Sequence, residues 1–186
     1  MDILSEVLDT IHIKGALYFE VQAAHPWVLV NPAMNLIGSF MLPELEHVIP
    51  FHIMLEGQGW AKSDDNLIPP LKLESGDVVM FPMGSSHSLT SDINNWQGIA
   101  ADTSFYQQTA AKKKPFTAVK LGQDGLRAKL VCGYIGFNAK PLNPMLKTLP
   151  KILVVKEHVS NEGLMKQLLL STLNEMGKSN EGARNI

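Results

Sequence analysis

Between residues 16 and 137 the chain never holds one hydrophobic period for long. Short runs rich in β-branched and aromatic residues, at 16–23, 27–31, 51–63, 71–73, 78–81, 87–90, 96–102 and 128–137, are cut by turn-forming residues. Ser63-Asp64-Asp65-Asn66 and Glu74-Ser75-Gly76-Asp77 carry turn chemistry, and Pro26, Pro32, Pro43 and Pro50 punctuate the rest. Many short strands spaced in this way predict a mainly β domain, an antiparallel barrel or sandwich. Helical periodicity is confined to the two ends. Ile3, Leu4, Val7, Leu8 and Ile11 share one face of a short helix over 2–12. Residues 143–149 read as a turn of helix closed by Pro150. A longer helix over 162–176 carries Met165, Leu169 and Met176 in one stripe, widened by Leu164 and Leu168.

Composition narrows what such a domain does. An apolar fraction of 45% with 18% charged residues is enough to build a core. The net charge of −2 argues against direct nucleic-acid binding, which asks for a basic face. The basic run Lys112-Lys113-Lys114 reads as a solvated loop. The single cysteine, Cys132, excludes an internal disulfide and fits a reducing compartment. No apolar run reaches the ~18 residues of a membrane helix, and the N-terminus has no basic cluster ahead of an apolar core. A cytoplasmic protein is the expectation.

The most informative segment runs from Gly76 to His87 with the spacing G-x5-P-x-G-x2-H. Gly76 permits a tight turn into a strand, Pro82-Met83-Gly84 makes a corner, and His87 starts the next strand. This resembles the second motif of the cupin superfamily, which implies a cupin-type double-stranded β-helix, a jelly-roll barrel, with His87 pointing inward. The resemblance also implies a first motif upstream, with two histidines and a glutamate as metal ligands. Here the strand end Phe51-His52-Ile53-Met54-Leu55-Glu56-Gly57 fits, but the glutamate slot holds Pro50 and the histidine slots fall near Pro43 and Leu45. Gly15 to Phe19, the Phe51–Gly57 strand, the second motif and Cys132-Gly133-Tyr134-x-x-Phe137 occur in one order that looks like the N-terminal sensor domain of AraC-type transcriptional regulators. That likeness implies a ligand-binding barrel over 1–138, then a helical dimerisation segment over 139–186 that begins a linker. It further implies a DNA-binding domain of two helix-turn-helix units, for which the residues after Pro150 are too few.

Strand parity places His52 and Met54 on the face of the missing glutamate slot, which the resemblance makes the cavity side. With Trp60 and His87 they form the expected ligand pocket, with Tyr18 and Trp27 as further aromatic candidates. The leading reading is a non-enzymatic module that holds a small-molecule effector, forms a homodimer through Leu164, Met165, Leu168, Leu169 and Met176, and reaches DNA only through another domain. Two other readings stay open. One is a metal-dependent cupin oxygenase or isomerase. The other is a metal or redox sensor in which His52, His87 and Cys132 hold a divalent metal such as zinc, two imidazoles and a thiolate being a donor set that suits it. The plain alternatives are a hydrogen-bonded interior histidine at His52, a polar contact with a ligand at His87 and a small buried hydrophobe at Cys132.

Overall fold

The computed structural model describes residues 14–112, 117–122, 125–138 and 148–157. The expected helices over 2–12 and 162–176, with all five dimerisation residues, lie outside the described residues, as does 143–149 apart from its last two residues.

Ten strands are described: β1 (Lys14–Ala24), β2 (Val28–Asn31), β3 (His47–Glu56), β4 (Gln58–Ser63), β5 (Leu71–Glu74), β6 (Val78–Met80), β7 (His87–Thr90), β8 (Thr117–Leu121), β9 (Arg127–Phe137) and β10 (Leu153–Val155). Two helices, α1 (Met34–Met41) and α2 (Thr103–Ala110), complete the described elements. The strands form a six-stranded sheet in the order β10-β6-β3-β9-β1-β8 and a four-stranded sheet in the order β2-β7-β4-β5. All pairings are antiparallel except β1 with β8.

The inner faces of the sheets enclose one core, which includes Val21, Met54, Ala61, Leu73, Val79, Phe81, Leu89 and Leu130. The alternation along β3 does the sorting. Val48, His52 and Met54 face this core, while Ile53 and Leu55 turn to the outer face and join Val131 in a second, smaller cluster.

Most expected strands recur within a residue or two, and the differences have local causes. The run 51–63 is two strands, because Gly57 adopts φ 83° and reverses the chain. A side chain there would meet the Arg127 carbonyl oxygen at 2.8 Å. The run 96–102 forms no strand; it is irregular chain, half-buried at Trp96 and exposed beyond it, leading into α2. Helix α1 buries Met34, Ile37, Gly38 and Met41, an i, i+3, i+4, i+7 stripe following Pro32. The short β10 follows Pro150 and pairs with β6 at the sheet edge.

Candidate functional site

The turn between β6 and β7 delivers His87 to the core. Gly84 has φ 64°, in the left-handed region, and a Cβ there would meet Met34 at 2.9 Å, so α1 packs directly on the corner. Behind the turn Phe81 is fully buried and its ring stacks on the His87 imidazole, with centroids 3.7 Å apart and planes 17° from parallel. His52 reaches the same point from the opposite sheet. The two Nε2 atoms are 2.8 Å apart, and each residue is 3% exposed. This contact joins β3 of one sheet to β7 of the other, and at that distance no guest atom stands between the rings.

The hydrogen bonds fix the tautomers. His87 Nδ1 is 2.9 Å from the Ser85 carbonyl oxygen, which can only accept, so Nδ1 carries the proton. Burial pushes the His87 pKa down to about 4, against a weaker opposing pull from the Ser85 carbonyl and Asp64, so the ring is neutral at pH 7. Its Nε2 is then an acceptor, and His52 Nε2 donates to it. His52 is held well below the ordinary histidine range by burial and by His87. Its Nδ1 keeps a bare lone pair, buried and without a hydrogen-bond partner among the described residues.

Neighbouring strands extend this layer sideways. His87 is in register with Asn31 on β2 and Ser63 on β4, and His52 with Val79 on β6 and Cys132 on β9. Directly opposed residues share a face, so all of these turn inward. Asn31 and Cys132 lead away from the imidazoles into a pocket of about 320 Å³. It opens where β2, an edge of the smaller sheet, faces β1 and the edge strand β8 of the larger one. Phe19, Val21, Leu29, Val119 and Leu121 line it from the strands, and Phe105 and Tyr106 from α2. Ile99, Ala100 and Ala101 border its mouth, with Ile99 97% exposed. Phe105 stacks against Phe19 at 5.7 Å, and Tyr106 meets Phe19 edge-on at 6.1 Å. Burial pushes the Tyr106 phenol up to about 12 and raises the Cys132 thiol far above its usual range, so both stay protonated. Among the described residues the lining contains no Lys, Arg, His, Asp or Glu.

The structure thus brings together His52 and His87 from the expected pocket, and neither they nor Met54 nor Trp60 line this one. Met54 is 1% exposed in the core. Trp60 stands on the β4 face opposite the buried Gly59, Ala61 and Ser63. Tyr18 donates to the Met41 carbonyl at 2.6 Å, and Trp27 is buried in the core. Asn31, Phe105 and Tyr106 were not singled out by sequence. The signal that could have found Asn31 is a polar residue ending an otherwise apolar strand, which equally marks a strand terminus.

The donor set does not suit a resident divalent metal. Pro50, in the glutamate slot, is buried and in register with the core residue Tyr134, and it offers no side-chain ligand atom. Pro43 is exposed. The two imidazoles use their Nε2 atoms on each other, and Cys132 lines the neighbouring apolar pocket. Among the described residues no group of three or more His, Cys, Asp or Glu is arranged to hold a metal ion.

A cupin family model matches residues 2–186, and the chain belongs to the cupin family. No curated protein matches the sequence. Among solved structures, the crystal structure of unsaturated fatty acid-bound wild-type ToxT from Vibrio cholerae strain SCE256 is similar over 90% of this chain, with 9% sequence identity and a TM-score of 0.35. The chain spans 55% of that protein's length. Among the described residues no helix is long and apolar enough to cross a membrane.

Proposed function

We propose that this chain is the effector-binding domain of a transcriptional regulator of the AraC type, and that it binds its effector without transforming it. The observation that carries the reading is the pocket of about 320 Å³, open at one end, walled by both sheets and by α2. Its volume is at the lower end of small-molecule sites. Among the described residues its lining offers no group that titrates near neutral pH, which supports recognition over acid–base chemistry. Effector binding then acts by population shift: the arrangement of sheets and α2 that holds the guest is favoured by its differential affinity. The regulator assignment rests on the order of the sequence segments that resemble that family. Homodimerisation through Leu164, Met165, Leu168, Leu169 and Met176, DNA contact through a separate domain, and a cytoplasmic location belong to the same proposal.

A thermal-shift screen of small apolar compounds, run on the chain and on Leu29→Trp, tests the binding claim. Hits that stabilise the parent and lose their effect when the indole fills the pocket support it. Equal shifts in both proteins place binding elsewhere and sink it. Light scattering at tens of micromolar tests the dimer: a monomer indifferent to Leu169→Glu removes that part of the proposal.

A further inference from the structure

We infer that the pocket selects an uncharged, mainly apolar molecule that carries one hydrogen-bond acceptor, and that Asn31 receives the acceptor. The inference rests on the ligand-binding reading above and names the chemistry of that same site.

Charge is the first discriminator. A carboxylate or an ammonium brought into this lining would give up its hydration and find no counter-charge among the described residues, because none that is charged at neutral pH borders the pocket. The phenol of Tyr106 and the thiol of Cys132 are both neutral there. The walls themselves favour a flat or compact apolar body: Phe19 and Phe105 stack at one side, and Val21, Leu29, Val119 and Leu121 supply aliphatic surface.

Asn31 is the second discriminator. Its Nδ2 is one of two buried side-chain polar atoms without a hydrogen-bond partner among the described residues, the other being His52 Nδ1. Asn31 lines the pocket, and its register with His87 turns its side chain inward. A buried amide donor without an acceptor is unfavourable, and a ligand carbonyl or ether oxygen would satisfy it. An apolar molecule of the same shape leaves it bare. The difference is expected to favour the acceptor-bearing ligand about tenfold.

Acetophenone and benzoate share one heavy-atom skeleton, and ethylbenzene lacks only the acceptor oxygen: a neutral acceptor, an anion and a hydrocarbon. Titrated into the full chain at pH 7.5 by calorimetry, acetophenone is expected to bind about tenfold more tightly than ethylbenzene, and benzoate not measurably. In Asn31→Leu the advantage of acetophenone disappears while ethylbenzene binds as before. Asn31→Val serves if the leucine variant does not fold. Benzoate binding as tightly as acetophenone would overturn the selection and leave the pocket a ligand site. So would a preference for acetophenone that survives in both variants. Failure of all three molecules to bind would remove the ligand-binding reading as well.

Discussion

At the residue scale the contact between His52 and His87 makes the fold sensitive to acid. Both rings are neutral when folded, held so mainly by burial. In the unfolded chain a histidine titrates near about 6.5. Between that pH and about 4 the unfolded state takes up protons that the folded state refuses, so stability falls as pH falls. His87 alone contributes a loss on the order of 3 kcal/mol across this window, and His52, also held low by burial, adds to it. Urea denaturation at pH 7, 6 and 5 checks the slope; a flat profile would contradict buried neutral rings. The pair also predicts non-additivity. His52→Leu leaves the His87 Nε2 acceptor buried and unpaired, at a cost of about 1–3 kcal/mol. His52→Leu with His87→Leu removes both partners, and should cost less than the two single changes summed. That double variant should also lose most of the acid sensitivity. The histidines were legible in sequence, His87 from the glycine–proline spacing before it and His52 from strand parity. Their mutual contact was not, because it depends on how closely the two sheets approach at that layer. Asn31 was less legible still: its importance comes from pairing with β7, more than fifty residues away in the chain.

At the element scale, α2 is the part of the pocket that regular sheet geometry does not supply. It begins at Asp102, whose side chain accepts from the Ser104 backbone N–H at 2.9 Å and so caps the helix. That bond and the Thr103 hydroxyl keep the Asp102 carboxyl below its usual pKa. Because Phe105 and Tyr106 follow within the first turn, the cap sets where the aromatic wall stands. Asp102→Ala should cost about 1 kcal/mol of stability. It should also weaken any pocket ligand, with little change in far-ultraviolet circular dichroism. A denaturation midpoint and a ligand titration on the same variant check both expectations. Most strands were legible because their punctuation is local: turn clusters at 63–66 and 74–77 bound them on both sides. The helices were less so. Helix α1 is eight residues long and interrupted by Gly38, too short for its stripe to stand out beside flanking apolar runs. Helix α2 buries only Tyr106 and Thr109, and the run 96–102 just before it reads as a strand. β10 is three residues long, and only its pairing with Val78–Met80 makes it a strand.

At the scale of the whole molecule, the pocket takes part of its wall from each sheet: β2 from the smaller, β1, β8 and β9 from the larger. The sheets meet at the His52–His87 contact on one side of this region and separate at the pocket on the other. A guest therefore fills the gap between two layers that otherwise touch through core side chains, and it binds a geometry that exists only when both sheets are in place. Unfolded chain offers no such cleft, so binding adds directly to global stability. At a free ligand concentration about a hundredfold above its dissociation constant the gain is about 2.7 kcal/mol. For a domain of this length that corresponds to a rise in Tm of roughly 5–10 °C. The edge strand β10 is tied to the same sheet, since it pairs with β6, and Lys156 just beyond it bonds to the buried Asp77 carboxylate at 2.6 Å. Hydrogen exchange followed with and without saturating ligand should then show slowed amides in β2, β8 and α2, where the ligand touches. If the sheets respond as one unit, the amides of β10 slow too, although no pocket residue lies in that strand. Protection confined to the pocket walls, with β10 unchanged, would mean that the sheet edge opens independently and that occupancy of the cleft is not felt where the chain leaves the sheet.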